Sequence, residues 1–121
     1  MAKDDYFVIL YKLLVYLYAC KKRQIIFEEI TFQEAVRKNV KNDQYFYDIL
    51  EMAQDEGLIK NVSFVNAWGG DKIILSAMNE LEITANGIRY LKDNSSMKKI
   101  SEMLKTAGDI ISKLASLLEI F

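Results

Sequence analysis

The apolar positions of this chain fall into three patterns: a near-continuous run at the start, short runs in the middle and a wide stripe at the end. From Tyr6 to Cys20 only Lys12 is polar. A helix of this length, about 15 residues at 1.5 Å each, spans about 22 Å, short of a hydrocarbon core of about 30 Å. Asp4 and Asp5 close the run on one side, and Lys21, Lys22 and Arg23 on the other. Lys12 near its middle would add about 2.5–3.5 kcal/mol to insertion, and tyrosines favour the membrane interface over its centre. A strand of this length would be unusual. The run therefore predicts a helix from about Asp4 to Lys22, buried on most of its circumference, and no membrane anchor. Phe7, Leu10, Leu14 and Leu17 form one face; Ile9, Leu13, Tyr16 and Cys20 form another. Such a helix needs cover on two sides, and Cys20 reads as a small core residue rather than a reactive thiol.

The middle of the chain alternates short helical and extended signals. "QIIFEEIT" is an apolar piece fit for an edge strand. Thr31 and Glu34 have the spacing of a capping box, which predicts a short second helix around "FQEAVRK". "NVKND" interrupts, and Asn42 or Asp43 caps a third helix, "QYFYDILEMAQDE", with Phe46, Ile49, Leu50 and Ala53 at helical spacing. Gly57 sits where a helix-ending glycine belongs. Then "LIKNVSFVN" and "KIILS" flank "AWGGD", a hairpin signal. "GGDK" fits neither GxxxxGK[ST] nor GxGxxG, so it does not read as a phosphate loop.

Thr84 caps a short helix, "ANGIRYLKD". A further helix starts near Ser95 or Ser96 and runs toward Phe121. Met97, Ile100, Leu104, Ala107, Ile111, Leu114, Leu118 and Phe121 alternate steps of three and four, a heptad seam. Met103, Ile110 and Leu117 widen the stripe, while Gly108 lowers helix propensity by about 1 kcal/mol relative to alanine and leaves room for another element to approach closely. The order helix, strand, helix, helix, hairpin predicts a mainly α (α+β) fold. Its expected architecture is a winged helix-turn-helix with a small β-hairpin wing and an appended long C-terminal helix. Residues 1–121 form one domain: a core over 1–94, and over 95–121 an amphipathic helix that packs on the first helix, on a dimer partner, or on both.

Composition narrows the chemistry. The 121 residues suit one small domain, and 51% hydrophobic with 27% charged residues is ordinary globular material. A net charge of −1 gives no global pull toward nucleic acid or anionic lipid. The lone cysteine cannot form an internal disulfide, and the acidic "MAKDD" is unlike a secretory signal; both fit the cytoplasm. Histidine is absent, so Ser-His-Asp, Cys-His and HExxH sites are excluded, and one cysteine cannot build a zinc site. The paired carboxylates Glu28-Glu29, Asp55-Glu56 and Glu80/Glu82 read as solvated faces, strand edges or caps, with no magnesium-site spacing. No catalytic residue, metal or cofactor is expected. "KKR" complements the dipole of the first helix rather than marking a membrane surface.

Three stretches resemble the YjcQ-like family of small proteins of Gram-positive bacteria and their phages: "DDYFVILYKLLVYLYAC", "YFYDILEMAQDEGLIKNV" and, most specifically, "ITANGIRYLKDNSSMKK". The resemblance implies a winged-helix-like domain of bacterial or prophage origin with no known enzymatic activity. The segment "NAWGGDKIILSAMNELE" departs from that likeness.

Two functions follow. In a DNA-binding or transcription-regulatory module the third helix would enter the major groove and the wing would touch an adjacent groove or backbone. Its contacts would come from Arg37, Lys38, Asn39, Lys41, Asn42, Gln44, Tyr45, Lys60 and Lys72. Against this, every charge between Lys41 and Lys60 is negative. The alternative is a self-associating protein-interaction module, since the terminal seam extends past what the first helix can cover; a homodimer is expected. Trp68 is either an anchor at the wing tip or, as preferred, a cap on the small sheet. The partners open at this point are a second copy, duplex DNA or another protein, and no membrane.

Overall fold

The computed structural model describes residues 2–120. It is mainly helical, with two small antiparallel two-stranded sheets. Helix α1 spans Tyr6–Lys21. The Asp5 carboxylate accepts from the Phe7 N–H at 3.1 Å, satisfying one of the amides a helix start leaves without partners. Every residue from Val8 to Ala19 is buried, Lys12 included. Of the eight residues expected on its two faces, Phe7 is exposed and Cys20 half-buried. Cover comes from all five other helices and one strand, so α1 is the axis of a single core.

Helix α2 spans Glu29–Val36 and α3 spans Asp43–Asp55. Two expectations fail at α2. "QIIFEEI" forms no strand, and Thr31 is no cap: the helix has already begun two residues earlier, with Glu28 at its N-cap and no side-chain capping bond. The reason is tertiary. The Tyr16 hydroxyl donates to the Glu28 carbonyl at 3.3 Å and accepts from its N–H at 3.2 Å, holding that backbone against α1. Phe32, Ala35 and Val36 then fall on the buried side at helical spacing. Tyr16 and Phe27 both meet Phe32, with ring centroids 5.4 and 5.0 Å away, and Phe32 in turn meets Phe46 of α3 at 6.2 Å. Such aromatic pairs contribute about 0.5–1.5 kcal/mol each beyond their buried area.

Asn42 caps α3, its side chain accepting from the Tyr45 N–H at 3.0 Å. The helix buries Phe46, Ile49, Leu50 and Ala53. It ends at Gly57, whose φ of 74° is the left-handed conformation that glycine adopts without strain. Strand β1 (Ile59–Lys60) pairs antiparallel with β4 (Glu82–Ile83). Strands β2 (Phe64–Asn66) and β3 (Lys72–Ile74) form the expected hairpin, in the register Phe64↔Ile74, Val65↔Ile73 and Asn66↔Lys72. Its loop turns through Gly69 and Gly70, both at φ 84°.

Helix α4 spans Ala85–Asp93 and is capped by Thr84, whose hydroxyl accepts from the Gly87 N–H and donates to the Gly57 carbonyl. The last segment departs from expectation: it is two helices, α5 (Ser95–Ala107) and α6 (Ile110–Leu118). Gly108 adopts φ 71°; its N–H donates to the Lys105 carbonyl and that of Asp109 to the Leu104 carbonyl, the paired bonds of a Schellman stop. Asp109 then starts α6 by accepting from the Ile111 N–H at 2.9 Å. The same Asp109 lies 3.2 Å from the buried Lys12 ammonium. A straight helix would carry this carboxylate away from α1, so the chain turns here and seats α6 on α1 and α2.

Candidate interaction surface

The turn from α2 to α3 is built by Arg37. Its guanidinium donates to Asp43 at 2.7 Å and to the Val40 carbonyl at 3.2 Å, and lies 4.8 Å from the centre of the Phe46 ring. This arginine is occupied on every side. Asn42 is spent as the α3 cap. The Tyr45 hydroxyl donates to the Asp4 carbonyl at 2.6 Å. Gln44 brackets the backbone of Lys72, donating to its carbonyl at 3.0 Å and accepting from its N–H at 2.7 Å. That pair of bonds docks the hairpin on α3.

Lys72 itself points back to α3, its ammonium 2.5 Å from Asp48 and 3.5 Å from Glu51. Asp48 holds the Lys72 pKa above the ordinary lysine value, so its charge is kept but committed. Lys60 belongs to β1, outside the hairpin, and sits 3.7 Å from Glu82. Lys21, at 2.8 Å from the same carboxylate, is the main cause of the lowered Glu82 pKa. Of the nine candidate contacts, Lys38, Asn39 and Lys41 remain: all three are exposed, and their side chains make no hydrogen bond or ion pair within the described residues. The structure thus gathers seven of the nine on the turn and the start of α3, adds Lys72 through the hairpin, and ties up most of their polar groups internally.

The charge around them is acidic. Residues 42–82 carry eight acidic and two basic side chains, a net of −6 in a chain of net −1. The hairpin's cation, Lys72, is already paired with Asp48 and Glu51. Phe64 and Ile74 face inward, Phe64 against Tyr47 at 5.9 Å, which leaves Val65, Ile73 and Leu75 exposed on the outer face. Trp68 is fully exposed at the turn and caps nothing, contrary to the preferred reading. Sequence reading passed over this outer face, although the alternation in "FVN" and "KIIL" carried it.

The terminal seam is divided. Met97, Ile100, Leu104, Ile111 and Leu118 are buried within the chain, Leu114 is half-buried and Ala107 is exposed beside the break. Phe121 lies outside the described residues. Cys20 is partly buried, which pushes its thiol pKa up to about 11. Among the described residues, no group of three or more Cys, Asp or Glu side chains is placed to hold a metal. No helix among them is long and apolar enough to cross a membrane.

A family model described as YjcQ protein matches residues 11–110. The chain belongs to the YjcQ family. The YjcQ match takes in the α2–α3 turn, both sheets and α5, and stops at the first residue of α6. No curated protein and no solved structure matches the chain.

Proposed function

We propose that this YjcQ-family chain is a non-enzymatic interaction module that recognises protein through the α3–hairpin face, on a winged-helix-like plan that no longer grips duplex DNA. One observation carries the reading: Arg37, Asn42, Gln44, Tyr45 and Lys72 are bonded within the chain, and the stretch from residue 42 to 82 has a net charge of −6. Duplex DNA is bound mainly by cations that displace its counterions. An acidic helix would be repelled there, and freeing Lys72 would break its bonds to Asp48 and Glu51. The exposed Trp68, Val65, Ile73 and Leu75 support a partner that offers apolar surface ringed by lysine or arginine, since aromatic anchors with charge-complementary rims favour protein contacts.

DNA binding or transcription regulation is the second reading, favoured by the exposed Lys38, Asn39 and Lys41 just ahead of α3. An amide-shift map with a random duplex at about 50 mM salt separates the two. The interaction reading expects no shifts along residues 37–45. Shifts centred there and lost in Lys38→Glu with Lys41→Glu would give the site back to DNA.

A further inference from the structure

Helix α6 is apolar on two sides, and the chain covers one of them. Ile111, Ala115 and Leu118 are buried inward. Ile110, Leu114 and Leu117, at spacings of four and three, form a second stripe, with Ile110 and Leu117 exposed and Leu114 half-buried. The stripe borders a groove of about 600 Å³ between α6, α2 and the α1–α2 loop, in which Tyr16 and Ala35 are buried. Ile26 lies on its edge at 86% exposure, and Ile30, on the first turn of α2, is 76% exposed. Solitary exposed aliphatics are ordinary, whereas a contiguous group around a groove marks a contact surface.

The charges here say what kind of surface covers it. Arg23, Glu28 and Lys113 line the groove, and none of the three forms an ion pair within the described residues. Two cations and one anion, unpaired around an apolar centre, let each copy's Glu28 meet a cation of the other. A two-fold interface requires this of a patch that meets itself. The α3–hairpin face fails the same requirement, because it belongs to a stretch, residues 42–82, whose net charge of −6 would repel a copy of itself.

We infer that a second copy of the chain covers the α6–α2 groove, forming a two-fold homodimer in which each protomer's Leu117 stripe and Ile26 pack on the partner. The dimer leaves both α3–hairpin faces open for the partner proposed above, so the two contacts are independent. The site differs from the heptad seam, whose buried members hold α5 and α6 to their own core.

Sedimentation velocity of the full chain, across concentrations up to about 200 µM, tests the inference. A dimer of twice the 14.0 kDa protomer mass is expected. Because Ile26 and Leu117 are exposed in the protomer, Ile26→Lys and Leu117→Lys should each leave circular dichroism unchanged and weaken the dimer by more than about tenfold. Trp68→Ser on the hairpin should leave its mass unaltered. A wild-type chain that stays monomeric overturns the inference. So does a dimer that survives both lysine variants, or one that Trp68→Ser dissociates.

Discussion

Among the described residues Lys12 has one ionic partner, Asp109, and the two ends of that pair are unequal. The lysine side chain is 3% exposed and that of Asp109 is 22% exposed. Removing the carboxylate strands a cation in apolar surroundings, whereas removing the lysine leaves a carboxylate that still reaches water and still caps α6. Asp109→Asn, which keeps the cap, should therefore destabilise by about 3–5 kcal/mol, and Lys12→Met by much less. Equal losses in urea unfolding would contradict this asymmetry. Gly87 is a second such position. A Cβ there would lie 2.2 Å from the Leu58 carbonyl oxygen and 2.7 Å from Ile83, so α4 can approach β1 and β4 only through glycine. Gly87→Ala should cost at least about 1–3 kcal/mol by the same measurement; an unchanged urea midpoint would refute the close approach. The polarity of Lys12 was readable from the chain as an obstacle to a membrane span. Its partner was not, because Asp109 comes near only once α6 folds back on α1.

At the scale of elements, periodicity located helices better than it located their ends. The steps of three and four from Met97 to Phe121 fit one helix, and Gly108 read as a propensity cost and a point of close approach, not as a stop. Periodicity is blind to backbone hand. The Gly108-Asp109 pair is a stop followed by a start, a left-handed glycine and then a capping carboxylate. The Thr-x-x-Glu spacing at Thr31 misled for the opposite reason: the motif is present, but Tyr16 holds Glu28 so that the helix begins earlier. Thr84, with no such competitor, caps as its position predicts. The two threonines make a matched test. Thr84→Ala loses the cap and the bond to Gly57, and should lower stability by about 1–2 kcal/mol, while Thr31→Ala should stay within about 0.5 kcal/mol of wild type. A larger loss at Thr31 would restore the capping box. The hairpin register lay in the chain as alternation, and reading it outward would have exposed Val65, Ile73 and Leu75 as a face. The β1–β4 pairing, between segments of two residues each, leaves no such pattern to read.

Across the whole molecule, charge decides more than architecture does. A near-neutral chain conceals an acidic middle and a groove with unpaired charges of both signs, and these two faces suit different partners. The acidity of α3 was plain in the sequence. The internal engagement of Arg37, Gln44, Tyr45 and Lys72 was not, since it depends on how the hairpin docks. The most direct test of the account is the affinity for a fluorescent random duplex, measured by anisotropy at several salt concentrations from about 50 to 200 mM. No saturable binding is expected at any of them. Binding whose log K falls linearly with log salt, with a slope equivalent to about three or more released counterions, would contradict it.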